Sequence, residues 1–175
     1  PHGGQRNDRD GKPNRRGEMM ATRIELTPAE VAFATNVATQ RNARKKRPDS
    51  RLSRTHSGFG VHFAGVIGEI AFTKVHGGKI SQSCLAGGDS HLADVIDRQG
   101  RHVEVKTSLF SGSNVEMKFE GTEIESMEWA CLVQLFLPDV ANVFPVIAKQ
   151  LFLDRCTVKD YGNGQRLILC GQEME

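Results

Sequence analysis

The chain has 175 residues, of which 38% are hydrophobic and 25% are charged, the ordinary balance of a globular protein. No apolar run is as long as a membrane span and no charged-then-apolar signal sequence opens the chain, which argues against membrane and secreted classes. The four scattered cysteines form no CxxC pair, so a thiolate zinc site is disfavoured and a reduced, cytoplasmic protein is expected.

The domain organisation is predicted to be simple. Residues 1–20 are polar and end in Met19-Met20, and we interpret them as a disordered tail or a cloning remnant ahead of an internal start. Residues 21–175 are long enough to bury one hydrophobic core, so we expect a single domain there.

The net charge of only +2 conceals a local concentration of cations. Residues 41–54 contain seven Lys or Arg and a single Asp, in a chain that is otherwise acidic beyond the first 18 residues. This segment indicates a local contact with a polyanion, although a solvated helix end is the ordinary alternative. The predicted nucleic-acid contacts are Arg44, Lys45, Lys46, Arg47, Arg51 and Arg54.

Two helices are predicted in the first half of the chain. Thr27-Pro28-Ala29-Glu30 has the pattern of a capped helix start, and this helix should run to about Arg44. A second helix is expected from about His62 to Val75, with an apolar stripe and with Gly65 and Gly68 available for close packing. Glu69 lies within that stripe, where a carboxylate is costly unless it is paired, metal-bound or turned to solvent at the edge.

The second half has the character of strands. We expect strands at 91–97, 102–109, 115–119, 129–137 and 142–147, with the last two joined around 138–141, then a short helix at 148–155 and a final strand at 166–170. The segments 130–133 and 143–146 are apolar enough to be central or nearly central strands.

The most informative stretch is the predicted hairpin of the first two strands. Arg98-Gln99-Gly100 suits a three-residue loop whose last position needs a left-handed backbone. A hairpin centred there places Asp94 opposite Glu104, and Lys106 shares their face because side chains alternate along a strand. Two carboxylates and an ammonium group at one point commonly hold a divalent cation and a water against a phosphodiester. The ordinary alternatives are a solvated Glu–Lys pair and an aspartate that caps its strand.

The order of these residues resembles the PD-(D/E)XK nuclease superfamily over residues 65–147. The matching residues are Glu69 in Gly68-Glu69-Ile70-Ala71, then Asp94, then Glu104-Val105-Lys106, with Ala93 where the family has proline. The resemblance implies an α/β (α+β) fold with a restriction-endonuclease-like core, namely a central mixed sheet of about five strands flanked by helices.

The resemblance also implies a metal-dependent deoxyribonuclease. Asp94, Glu104 and the Val105 carbonyl would bind Mg²⁺, for which Mn²⁺ can substitute, and Glu69 would bind a second metal or tune the first. Lys106 would orient the attacking water, deprotonate it if the pKa of the lysine is lowered, or stabilise the pentacoordinate phosphorus. The catalytic residues implied are therefore Asp94, Glu104, Lys106 and Glu69.

The expected partner is DNA, and a homodimer would suit an enzyme that cuts two strands. An intracellular, phage-encoded endonuclease, a junction resolvase or a compact restriction-type enzyme would fit this size. Two alternatives remain open: a catalytically inactive nucleic-acid-binding module on the same scaffold, and an exonuclease that acts from DNA ends. Gln134 is a weaker candidate for orienting water, and His102 for touching a phosphate.

Overall fold

The computed structural model describes residues 21–44, 58–81, 94–162 and 164–174. The elements in chain order are β1 (Thr22–Glu25), α1 (Pro28–Arg44), α2 (Gly58–His76), β2 (Lys79–Ile80), β3 (Val95–Ile96), β4 (His102–Ser108), β5 (Glu116–Phe119), α3 (Gly121–Ser126), β6 (Trp129–Phe136), β7 (Val140–Val143), β8 (Ile147–Ala148), α4 (Lys149–Arg155), β9 (Thr157–Asp160) and β10 (Gln165–Cys170). They form a seven-stranded sheet, in the order β1-β7-β6-β4-β3-β2 with β8 paired to β6, and a three-stranded sheet in the order β5-β10-β9.

The predicted start of α1 is confirmed by its capping geometry. The backbone N–H of Thr27 donates to Glu30 Oε2 at 2.6 Å, and the N–H of Glu30 donates to Thr27 Oγ1 at 3.3 Å. This reciprocal pair satisfies two backbone donors that the first turn leaves without a partner. The helix then continues to Arg44, as the sequence predicts.

The two long helices cover one face of the large sheet. The apolar stripe of α2 packs with α1 and with the inward side chains of β4 and β6, in a core that includes Val66, Ile67, Ile70, Val103, Val105, Cys131 and Val133. Of the two glycines predicted to allow close packing, only Gly68 is used in this way. A Cβ atom there would lie 2.0 Å from Thr107 Oγ1, whereas a Cβ atom at Gly65 would meet nothing within 4 Å.

A second core lies on the opposite face of the sheet. It joins Ala130 and Leu132 of β6 to the small sheet and to the short helices, through residues that include Met117, Phe119, Ile124, Phe152 and Leu169. The strand β6 is therefore buried on both faces, which explains its nearly continuous apolar sequence. Its predicted central position is confirmed, since it lies between β7 and β4.

Several boundaries differ from the prediction. The helix α2 begins at Gly58, before the expected His62. The predicted strand 142–147 is two short strands, β7 and β8, and Pro145 lies in the gap between them. Proline has no N–H to donate to a ladder, which accounts for the interruption. The connection from β6 to β7 occupies residues 137–139, because β7 already begins at Val140.

The predicted number of strands in the large sheet is too low. It has seven strands instead of about five. The strands β1 and β2 form its two edges, and β8 pairs with β6. These strands have two to four residues, too few to produce a recognisable alternation. The strand β9 and the helix α3 were not expected either, while β5, α4 and β10 lie where the sequence predicts.

The fold is a mixed α/β architecture, as expected. Residues 1–20 lie outside the described part of the chain, so the prediction of a disordered tail stays a prediction. Within the described ranges, no helix has the length and apolar character needed to cross a membrane.

Candidate active site

The predicted register of the hairpin is confirmed. Val95 pairs with Val103 and Ile96 pairs with His102 in antiparallel alignment. Gly100 adopts the expected left-handed conformation, with a φ of 77°. Continuing this register by one residue places Asp94 opposite Glu104. The strand β3 is shorter than predicted, however, and residues 91–93 lie outside the described part of the chain.

A buried aspartate that the sequence reasoning missed holds the turn. Asp97 is only 6% exposed. Its carboxylate accepts hydrogen bonds from the N–H of Gln99 at 2.8 Å, from the N–H of Arg101 at 2.9 Å and from Arg101 Nε at 2.7 Å. Burial opposes ionisation, but these bonds from Arg101 and Gln99 outweigh it and hold the pKa of Asp97 below its ordinary value. An aspartate directly before a three-residue loop is the signal that could have identified it.

Asp94 is tied to the strand that carries the other site residues. Its Oδ2 atom accepts a hydrogen bond from the backbone N–H of Val105 at 2.9 Å. The N–H and C=O groups of one strand residue point to the same edge, so the Val105 carbonyl, a predicted metal ligand, also faces the edge where Asp94 lies. The carboxylate is therefore held beside β4.

Lys106 lies between two carboxylates. Its Nζ atom is 3.1 Å from Glu104 Oε1 and 3.2 Å from Glu123 Oε1, and the three side chains are between 22% and 38% exposed. Burial by itself would lower the pKa of Lys106, but the neighbouring negative charges, chiefly those of Glu104 and Glu123, outweigh burial and raise it. The lysine is therefore an ammonium group at neutral pH. An ammonium group suits the predicted roles of Lys106 as a cation, in which it orients the attacking water or stabilises the pentacoordinate phosphorus.

The two facing carboxylates repel each other. Burial raises the pKa of Glu104, and the negative charge of Asp94 raises it further, against the opposing effect of Lys106. A bound cation would relieve the repulsion.

Glu69 is buried and paired. Its two carboxylate oxygens each lie 3.2 Å from a terminal nitrogen of the Arg41 guanidinium, and the side chains are 5% and 11% exposed. Burial raises the pKa of Glu69 in spite of this partner, and the charge of Glu104 adds to the effect. The alternative that Glu69 faces solvent at the edge of the helix is therefore wrong. Its partner is a side chain of the neighbouring helix, 28 residues away in sequence.

The donor set fits a cation that accepts few protein ligands. Mg²⁺ commonly uses one or two carboxylates and fills its remaining positions with water and substrate oxygens. Asp94 and Glu104 meet that requirement. Among the residues that the structure describes, no three His, Cys, Asp or Glu side chains are grouped so that they could hold a metal ion. The role of Glu69 as a ligand to a second metal, or in tuning the first, stays a prediction.

Two weaker candidates from the sequence, Gln134 and His102, lie in different surroundings. Gln134 is buried, and its amide nitrogen donates to the carbonyls of Phe110 and Gly112 at 2.9 Å each. Its oxygen accepts from Asn142 at 3.1 Å, so the side chain organises a loop and the predicted role in orienting water is wrong. His102 is an exposed residue at the start of β4.

The predicted nucleic-acid contacts fall largely beyond the described ranges. Arg44 is the last residue of α1. Lys45, Lys46, Arg47, Arg51 and Arg54 lie outside the described residues, so their contact with nucleic acid stays a prediction.

Comparison with known proteins adds no family assignment. No protein-family model matches the chain, and no curated protein matches it.

Proposed function

We propose that the chain is a Mg²⁺- or Mn²⁺-dependent deoxyribonuclease of the PD-(D/E)XK type, built on a restriction-endonuclease-like core and acting as an endonuclease. The observation that supports this proposal is the arrangement on the hairpin: Asp94 opposite Glu104, with a charged Lys106 at 3.1 Å from Glu104. Neighbouring acidic groups are costly to a fold, and their cost is understandable if a divalent cation binds between them.

In the proposed reaction, the cation and the protein side chains have different roles. A bound Mg²⁺ supplies an acidified water and neutralises negative charge on the phosphate. The hydrogen bond from Val105 orients Asp94 towards the site before any ligand arrives. The Lys106 ammonium can donate hydrogen bonds to the attacking water or to a phosphate oxygen, where charge grows during the reaction. Cleavage of this type leaves a 5′-phosphate and a 3′-hydroxyl.

The basic segment 41–54 supplies the proposed contact with DNA. Its cations would neutralise backbone phosphates, and this contact is independent of sequence. It follows α1, whose last turns already bring Arg41 to Glu69 and thus near Glu104. The proposed partner is accordingly DNA, and a homodimer would bring two such sites to two strands.

The inactive binding module is less well supported. A protein that only binds phosphate gains nothing from Asp94 and Glu104 facing each other, because their charges repel DNA. The exonuclease alternative shares the whole site, so the form of the DNA decides between it and an endonuclease.

The first prediction concerns cleavage. Purified protein incubated with supercoiled, linear and four-way-junction DNA should cut in the presence of Mg²⁺ and stop when a chelator is added. Asp94→Asn, Glu104→Gln and Lys106→Met should each reduce the rate by about 10²-fold or more, because each removes a charge at the reacting centre. The control is Glu125→Gln, which neutralises an exposed carboxylate on α3 and should leave the rate unchanged.

Four results would contradict the proposal or redirect it. Full activity of Asp94→Asn, or cleavage that persists in chelator, would overturn the metal mechanism. DNA binding without cleavage, together with no Mg²⁺ or Mn²⁺ binding in calorimetry, would establish the inactive module. Cutting of linear DNA with circular DNA left intact would establish the exonuclease.

A further inference from the structure

We propose that Glu123 is a positioning residue of the same site, which holds the Lys106 ammonium group in place while Glu104 engages the metal. This inference rests on the proposed nuclease function. Glu123 belongs to α3, a helix that the sequence reasoning did not predict, and it lies 17 residues from Lys106 in the chain.

The carboxylate of Glu123 is shared between two partners. Its Oε1 atom lies 3.2 Å from Lys106 Nζ, while its Oε2 atom accepts a hydrogen bond from the backbone N–H of Glu120 at 2.8 Å. In return, the backbone N–H of Glu123 donates to the backbone carbonyl of Glu120 at 3.1 Å, so the two residues are bonded to each other at the start of the helix. One oxygen is thus fixed by the start of the helix, and this directs the other oxygen towards Lys106.

The helix that carries Glu123 is itself anchored. Ile124 is buried in the second core, and Glu120 Oε1 lies 2.9 Å from Arg166 Nη2 on β10. The position of Glu123 is consequently supported by the small sheet as well as by its contact with Lys106. A change in the side chain of Glu104 therefore leaves the anchor of Glu123 in place.

Lys106 also lies against an aromatic ring. Its Nζ atom is 4.8 Å from the centre of the Phe119 ring, on the strand that leads into α3. A lysine side chain loses rotamer freedom when it is fixed, and the ring and the two carboxylates offset this cost.

The two carboxylates around Lys106 have different tasks in the proposed reaction. Glu104 is a proposed metal ligand, so its charge is drawn to the cation when the site is loaded. Glu123 keeps its contact with the ammonium group at that stage. Without it, the lysine side chain would be free to turn into solvent at the stage when its position matters most.

The test compares variants of one helix. Glu123→Gln keeps an oxygen that can accept the capping bond but removes the charge that binds Lys106. Glu120→Gln is the matched control, because it weakens the ion pair with Arg166 at the start of the same helix and keeps the backbone N–H that Glu123 binds. We expect Glu123→Gln to lower kcat about tenfold with an unchanged KM for DNA, and Glu120→Gln to leave kcat within about twofold.

A double-mutant cycle separates positioning from structure. In the Lys106→Met background, Glu123→Gln should cause no further loss of kcat, because the side chain on which it acts is gone. Equal losses in both backgrounds, or the same loss in Glu120→Gln, would overturn the proposal and assign Glu123 a purely structural role.

A spectroscopic measurement tests the proposal without relying on activity. The ¹H–¹⁵N signal of the Lys106 ammonium group, recorded with Mg²⁺ present, should be visible in the wild type and in Glu120→Gln and absent in Glu123→Gln. A signal that persists in Glu123→Gln would contradict the inference even if the enzyme is active. A wild type that cleaves no DNA while this signal depends on Glu123 would refute the nuclease function and leave the placement of Lys106 intact.

Discussion

At the scale of single residues, the carboxylates of this protein differ according to their surroundings. Asp97 accepts three hydrogen bonds and has a lowered pKa, whereas burial raises the pKa of Glu69 and of Glu104. The hydrogen bonds to Asp97 stabilise the fold, whereas keeping Glu69 and Glu104 ionised costs free energy because burial opposes their ionisation. Clusters of the costly kind are concentrated at functional sites, and here they lie around the hairpin and the helix beside it.

The lowered pKa of Asp97 predicts how the stability of the hairpin depends on pH. Its unfolded pKa is about 3.9 and its folded pKa is lower, so its contribution is present above about pH 4 and is lost as pH falls through the folded value. Asp97→Ala should reduce the free energy of unfolding by about 1 kcal/mol at neutral pH, because it removes the acceptor of three hydrogen bonds from Gln99 and Arg101. The difference from the wild type should shrink progressively in acid, as measured by urea denaturation across this range.

A control for this prediction is available in another turn. Asp139 is an exposed aspartate in the connection between β6 and β7, and Asp139→Ala should change stability little at any pH. An Asp97→Ala penalty that is the same in acid and at neutral pH would show that the charge of Asp97 contributes nothing.

At the scale of elements, the contact between α2 and β4 sets the distance between Glu69 and the hairpin. Gly68 permits this contact, since its Cα lies against the side chain of Thr107. The sequence predicted two glycines suited to close approach, but it could not show which of them meets a neighbour. That depends on the rotation of α2 about its axis, which the burial of its entire apolar stripe determines.

The two glycines of α2 form a matched pair for a packing test. Gly68→Ala would place its Cβ 2.0 Å from Thr107 Oγ1, and such overpacking should cost about 1–3 kcal/mol. Gly65→Ala meets no atom within 4 Å and should stabilise the helix by up to about 1 kcal/mol. Thermal unfolding of the two variants should therefore shift in opposite directions.

A second substitution checks the cause of the Gly68 effect. Thr107 Oγ1 is buried without a hydrogen-bond partner among the described residues, so Thr107→Ala removes the obstructing atom at little cost. Thr107→Ala should restore most of the stability that Gly68→Ala loses. A double variant as unstable as the sum of the two single variants would exclude this contact as the cause.

At the scale of the whole molecule, the large sheet is covered on both faces, and the candidate site lies on the face of β4 that α3 and Phe119 adjoin. The cationic segment continues from the last turn of α1 towards α2 in the sequence. Together these features predict that DNA binding and DNA cleavage can be separated by mutation.

This separation is testable through the salt dependence of binding. In an Asp94→Asn background without Mg²⁺, Lys45→Ala, Lys46→Ala and Arg47→Ala should each reduce the slope of log K against log salt by about 0.9, because each removes one phosphate contact. Lys159→Ala is the control, since Lys159 forms an ion pair with Glu116 on the small sheet. Equal effects of all four substitutions would assign the binding to net charge and not to the segment.

Local chemistry explains which predictions succeeded. The cap of α1, the left-handed Gly100 and the register that places Asp94 opposite Glu104 depend on neighbouring residues, so the sequence by itself determined them. Alternation along a strand likewise determined that Glu104 and Lys106 share a face.

Tertiary structure alone decided the partners of these groups. Arg41 on Glu69, Glu123 on Lys106 and Gln134 on the 110–112 loop join residues that are 28, 17 and 22 or more positions apart. Contacts over such separations depend on how helices and sheets pack, because burial of apolar faces sets the rotation and spacing of whole elements. Periodicity in the sequence predicts which side chains face the core, but the packing of the elements determines which residues they contact.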